Sequence, residues 1–257
     1  MVLSISGFDP SSGAGLTADI KTAAAHECYG VGCLTALTVQ STRGVGRVEA
    51  VSGVLVRETL ESLAGDLQIA AIRIGMLGSA EVADEVADFL ERRKAANVVL
   101  DPVLASSTGA SLIDAAGVEI LKSRLLPLAA ILTPNLSEAG LLAGRTVANL
   151  ADMEVAAAVI QRRGARSVLV TGGHLPDNTD VFRDESGKSH HLAGKRIESK
   201  ATHGTGCALA MAIACNLANG YELLEAATMA KDYVRKAIEA AYPVGKGSGP
   251  MNHLFDI

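Results

Sequence analysis

Tryptophan is absent from the 257 residues, and phenylalanine and tyrosine number only four each. With a formal net charge of −5, the chain has neither the stacking side chains nor the basic surface that hold nucleic acid. No nucleic-acid partner is expected. No stretch reaches the roughly 18 uncharged apolar residues of a membrane span. The most apolar one, residues 208–217, is short and contains Asn216, so no membrane partner is expected. The first residues show no basic segment leading into an apolar one, so no signal peptide is read there and a cytoplasmic location is expected. The four cysteines (Cys28, Cys33, Cys207 and Cys215) form no C-x-x-C pair and have no matching histidines. A zinc site is therefore excluded and free thiols are expected. The phosphate loop G-x-x-x-x-G-K-[ST] and the protein-kinase motif set are also missing.

What is present fits an ordinary packed protein. Apolar residues make up 49% and charged residues 20%, and a chain of this length buries about three quarters of its unfolded surface. Short apolar runs at 2–6, 33–39, 71–74, 98–100, 130–132 and 167–170 read as strands. Between them lie segments of helical period. In 81–94, Val82, Val86, Phe89 and Leu90 share a face; in 223–241, Leu223, Ala227, Ala230, Val234, Ala237 and Ile238 do so. Strands that are apolar throughout and alternate with helices predict an α/β fold, a mostly parallel sheet covered on both faces. Residues 177–192, with a polar Asp-Glu-Ser-Gly tip, read as a hairpin. A single domain over residues 1–257 is expected.

In such sheets ligands bind beyond the carboxyl ends of the strands, and the unusual residues of this sequence lie there. The first strand enters a glycine-rich loop, Gly7, Gly13 and Gly15, ahead of a helix carrying Asp19. Such a loop either turns tightly or holds a ligand against its amides, and Asp19 reads as a solvated surface carboxylate. Gln40 stands at the exit of the second strand, where its amide either caps the loop or meets a ring nitrogen beside an amino group. Met76 follows the next strand, as a core residue or as a soft wall for a flat ring, and Asp101, after the strand beyond it, either caps a loop or faces a cationic or metal-bearing ligand. Asn135 and Glu138 have capping-box spacing. Their other reading is as oxygen donors to hydrated Mg²⁺ near nucleotide phosphates. Thr171-Gly172-Gly173-His174 follows the last of these strands, and its two adjacent glycines let a loop pass close beneath a phosphate chain. The sharpest signal is His203-Gly204-Thr205-Gly206-Cys207 at a helix start. Bare amides and the helix dipole there suit the charge of a phosphoryl group in transfer. The same field is expected to lower the Cys207 thiol and make it a base for an alcohol.

Together these segments resemble the ribokinase-like superfamily, and more narrowly the hydroxymethylpyrimidine/phosphomethylpyrimidine kinases of thiamine biosynthesis. The resemblance rests on eight motifs in the family's order: G-F-D-P-S-S-G-A-G-L-T-A-D at 7–19, A-L-T-V-Q-S-T-R-G-V at 36–45, I-G-M-L at 74–77, V-L-D-P-V at 99–103, T-P-N-L-S-E at 133–138, G-G-H at 172–174, H-G-T-G-C at 203–207 and G-K-G-S-G-P at 245–250. It implies a three-layer α/β/α sandwich that uses Mg²⁺ and ATP to phosphorylate 4-amino-5-hydroxymethyl-2-methylpyrimidine and then its monophosphate. It also implies a homodimer. By motif position, Gln40 would bind the aminopyrimidine, with Gly7, Asp19, Met76 and Val103 around it. Cys207 would be the catalytic base, with Gly204, Thr205 and Gly206 forming the anion hole. Asn135, Glu138, Thr171, Gly173 and Thr205 would flank the nucleotide, with Asn135 and Glu138 holding the metal through water. Pyridoxine or pyridoxal kinase activity, or a non-catalytic pyrimidine- or nucleotide-binding relative, are the alternatives. Thr171 stands where the family commonly has lysine, and Lys200 and Lys246 are candidates to replace that charge.

Overall fold

Side chains alternate across a strand, so an apolar run of any length feeds both faces of a sheet. The computed structural model, which describes residues 1–106, 109, 111–173 and 175–256, is built on that rule. Its strands are β1 (Val2–Phe8), β2 (Gly30–Ser41), β3 (Gly44–Ala50), β4 (Ala71–Ile74), β5 (Val98–Leu100), β6 (Ile131–Leu132), β7 (Val168–Val170), β8 (Asp180–Arg183) and β9 (Ser189–Leu192). They form one sheet in the order β3-β2-β1-β4-β5-β6-β7-β8-β9. From β2 through β7 the neighbours are parallel, while β3 and the β8–β9 hairpin are antiparallel edges.

The helices are α1 (Gly15–Ala25), α2 (Gly53–Asp66), α3 (Ala80–Arg93), α4 (Ala115–Ile120), α5 (Leu126–Leu128), α6 (Leu136–Ala143), α7 (Leu150–Arg162), α8 (Thr205–Ala218) and α9 (Leu223–Glu239). A π-helical turn, Leu121–Leu125, joins α4 to α5. Leu3, Ile5, Ile72, Ile74, Val98, Leu100, Leu132, Val168 and Val170 pack with α2, α3 and α7. Their neighbours Val2, Ala71, Val99, Ile131 and Leu169 pack with α8 and α9. The result is the expected three-layer α/β/α arrangement. The same alternation turns Ser4, Ser6 and Arg73 toward the α1/α8 layer, and this fixes the floor of the site.

Two boundaries depart from expectation. Strand β2 begins at Gly30 and runs through Gln40, so Gln40 lies within the strand rather than beyond it. A register shift between Val39 and Gln40 sets its direction. The partner β3 was not expected, because Gly44, Gly46, Arg47 and Glu49 interrupt any apolar pattern. It is an edge strand whose charged residues stay in solvent.

Candidate active site

The carboxyl ends of the parallel strands open into one cleft of about 1990 Å³. Gly7, Gln40, Met76, Val103, Asn135, Glu138, Thr171, Gly173 and the whole of Gly204, Thr205, Gly206 and Cys207 line it. Asp19 is the exception. It is fully buried, neither solvated nor in the cleft wall, and stands one layer behind it. His174 of the G-G-H motif lies outside the described residues.

Helix α8 starts without a side-chain cap. Gly204, its N-cap, has φ +76°, and a Cβ there would collide with the carbonyl oxygen of Gly13. Glycine is therefore needed at 204 on both counts. The first intrahelical bond runs from the Ala208 amide to Gly204 O at 3.0 Å. The amides of Thr205, Gly206 and Cys207 precede it and have no carbonyl partner among the described residues. A Cβ on Gly206 would meet nothing within 4 Å, so the space over these amides is open. The positive end of a 14-residue helix thus faces the cleft.

Cys207 is half-buried beside them. Beneath it lies Arg73, wholly inaccessible to solvent. Its Nη1 is 3.0 Å from Asp19 Oδ2 and its Nη2 is 2.5 Å from Asp101 Oδ2. Asp19 Oδ2 also accepts from Ser4 at 2.5 Å and Ser6 at 3.1 Å. Gly75 leaves room for the guanidinium, since a Cβ there would strike it. These surroundings overturn the expectation of a lowered thiol. Burial pushes Cys207 up to about 11, Asp101 and Asp19 push the same way, and Arg73 and the Gly15 amide only partly oppose them. At neutral pH Cys207 is a thiol.

Asn135 and Glu138 form a capping box at the start of α6. Glu138 N donates to Asn135 Oδ1 at 3.0 Å, and Asn135 N donates to Glu138 Oε2 at 3.0 Å. The Leu104 amide donates to Glu138 Oε1 at 3.4 Å. Burial, and then the charge of Asp101, push the Glu138 carboxyl up to about 8. A carboxyl raised in the folded state contributes stability that is fully present below its ordinary value near 4.5 and is lost as pH rises through about 8. Glu138→Gln keeps an acceptor for the cap but cannot ionise. The variant is expected to gain on wild type by a few kcal/mol between pH 5 and pH 9 in urea unfolding. Parallel curves for the two proteins across that range would rule out this account of Glu138.

The loop after β7 is held from behind. The Thr171 amide donates to Pro134 O at 2.9 Å and the Gly172 amide to Asp180 Oδ1 at 2.7 Å. Asp180 Oδ2 in turn is 2.7 Å from Lys231 Nζ of α9. Lys231 lines the cleft, as does Lys200, whereas Lys246 does not. Lys231 was missed in the sequence because nothing local marks it. Arg73 did have a signal, as the one charged residue in an apolar strand. Asp9 was missed as well. It accepts from the amides of Ser11, Gly13 and Ala14 at 2.8, 3.2 and 2.9 Å, and His203 Nε2 lies 2.7 Å from it. Burial pushes Asp9 up, but the bonds from His203 and Ser11 outweigh it and bring it to about 2.

A family model described as phosphomethylpyrimidine kinase matches residues 9–252. The chain is 44% identical over 259 residues to the hydroxymethylpyrimidine/phosphomethylpyrimidine kinase of Rhizobium meliloti (strain 1021), covering 99% of this chain and 97% of that one. It is 43% identical to the thiamine biosynthesis bifunctional protein ThiED of Geobacter sulfurreducens, covering 99% of this chain but only 52% of that longer protein. Among solved structures, an ADP complex of Bacillus subtilis pyridoxal kinase superposes with a TM-score of 0.90 at 30% identity, over 98% of this chain and 96% of that one.

Proposed function

The chain belongs to the phosphomethylpyrimidine kinase family, and from that premise we propose that it transfers the γ-phosphoryl group of ATP to the hydroxymethyl oxygen of 4-amino-5-hydroxymethyl-2-methylpyrimidine, and then phosphorylates the monophosphate. The observation that carries the reading is the open, uncapped start of α8 beside Cys207, in the same cleft as Gln40. The pyrimidine lies with its amino edge on Gln40 between Met76 and Val103, near Gly7. Its hydroxymethyl oxygen attacks the γ-phosphorus in line, the bond from phosphorus to the ADP oxygen breaks, and the alcohol proton passes to the Cys207 sulfur. The amides of Thr205, Gly206 and Cys207 hold the charge that gathers on the phosphoryl oxygens. Because Cys207 must first be deprotonated, Arg73 serves the reaction by keeping a cation beneath that sulfur. Asn135, Glu138, Thr171, Gly173 and Thr205 border the nucleotide.

The donor set suits Mg²⁺. Glu138 offers a carboxylate whose ionisation the charge of Asp101 opposes, and a hard divalent cation relieves that opposition. No cluster of three metal-ligating side chains occurs among the described residues, so Glu138 and its cap partner Asn135 would hold the ion through water. When bound, Mg²⁺ neutralises phosphate charge. The same reading takes residues 1–257 as one kinase domain of a cytoplasmic homodimer. The apolar side chains of Leu37 and Val39, exposed on β2, are available to a second copy.

Phosphorus NMR of the products from the pyrimidine alcohol, ATP and Mg²⁺ tests the assignment. Monophosphate followed by diphosphate is expected. The likeness to pyridoxal kinase makes pyridoxine the comparison substrate. Preferential turnover of pyridoxine would replace the assignment, and the absence of any ADP with both alcohols would leave a binding protein.

A further inference from the structure

We propose that His203 and Asp9 fix the orientation of the Gln40 side-chain amide and thereby select an aminopyrimidine over other flat aza-rings. The proposal rests on the reading of Gln40 as the pyrimidine contact. His203 Nε2 lies 2.7 Å from Asp9 Oδ2 and 3.2 Å from Gln40 Nε2. Asp9 is held ionised by its four amide and hydroxyl donors around the first loop and by His203 itself. A carboxylate only accepts, so the imidazole Nε2 must carry its hydrogen.

That assignment has a consequence for Gln40. An Nε2 that bears hydrogen cannot also accept from the amide nitrogen facing it, so two donors meet at 3.2 Å. Turning the amide over removes the conflict. Oε1 then faces His203, and the nitrogen faces Thr38 Oγ1, the atom 3.1 Å away on its other side. Thr38 Oγ1 can accept from it, because its own hydrogen goes to Phe8 O at 2.9 Å. In this arrangement the contacts are compatible: the single Nε2 hydrogen of His203 is shared, mainly with Asp9 Oδ2 at 2.7 Å and secondarily with Gln40 Oε1 at 3.2 Å, Gln40 donates to Thr38, and Thr38 donates to Phe8.

An amide offers two acceptor sites on oxygen and two hydrogens on nitrogen. His203 and Thr38 take one of each, and one of each is left for the cleft. That remainder, one acceptor beside one donor, matches an exocyclic amino group next to a ring nitrogen. A hydroxylated pyridine lacks that pair and gains nothing from a fixed amide. His203 and Thr38 are thus positioning residues, acting on substrate choice through Gln40.

Steady-state kinetics with Mg-ATP test this, using the aminopyrimidine alcohol and pyridoxine, the latter read as an inhibition constant if it is not turned over. His203→Ala and Thr38→Val are each expected to raise KM for the pyrimidine about tenfold, the worth of one hydrogen bond. kcat should stay within about threefold and the pyridoxine constant should not move. Thr38→Ser should restore the wild-type KM. Thr38→Val keeps the test available if His203→Ala fails to fold. Gln40→Ala is the control. If it raises KM while the other two variants leave it unchanged, or shift both substrates alike, the positioning role is overturned and Gln40 keeps its own. If Gln40→Ala leaves KM unchanged, the reading of Gln40 is wrong and the proposal falls with it.

Discussion

Cys207→Ala is expected to lower turnover by about 10²–10⁴-fold, the usual contribution of a general base. The amides of Thr205 and Gly206 and the proposed substrate contacts at Gln40 remain in place, so KM for both substrates should change little. The side chain is small and half-buried, so the melting temperature should stay near that of wild type. The pH profile gives a second reading. Burial holds the thiol up to about 11, so the reactive thiolate is a small fraction at neutral pH. It grows about tenfold for each pH unit gained. Wild-type turnover should therefore climb from pH 6 to 9, and the alanine variant should lose that slope. An ADP-coupled assay across this range decides the matter. A variant with near wild-type turnover removes the sulfur from the reaction.

Arg73→Met should have the largest effect on stability, about 3–5 kcal/mol in urea unfolding, as expected when one partner of a buried ionic group is removed. The guanidinium bridges Asp19 and Asp101, and neither carboxylate has another cation in its contacts among the described residues. Burial already raises both carboxyls, and Arg73 is the main influence holding them down. Without it their folded-state values rise further. A group raised in this way favours the folded state at low pH and opposes it once ionised. The deficit of the variant should consequently be wide at pH 8 and narrow at pH 5. A loss under about 1 kcal/mol that does not vary with pH would mean that the cluster carries no such energy.

What was legible in the sequence was local. The strands β4 to β7 announce themselves as apolar runs with ligand-type residues just beyond, and the glycines at 204 and 206 mark an uncovered helix start in five residues. The hairpin of β8 and β9 was equally plain from its polar tip. The parts that stayed hidden depend on residues far apart in the chain. Arg73 is 54 positions from Asp19 and 28 from Asp101, and His203 is 194 from Asp9. No pattern of spacing brings such partners together; the alternation of side chains across β1 and β4 does, once the strand order is known. The thiol was misjudged for the same reason. A helix start is visible in sequence, whereas the two carboxylates that help outweigh it arrive from the residue after β5 and from α1, with burial by the surrounding fold.

The back-to-back contact of Gly13 and Gly204 ties the proposed anion cradle at the start of α8 to the loop that follows β1. A fragment consisting of α8 and α9 alone would contain every amide of that cradle and still lack the carbonyl wall that shapes it. Transplanting phosphate affinity to another scaffold would therefore require two grafts held in register.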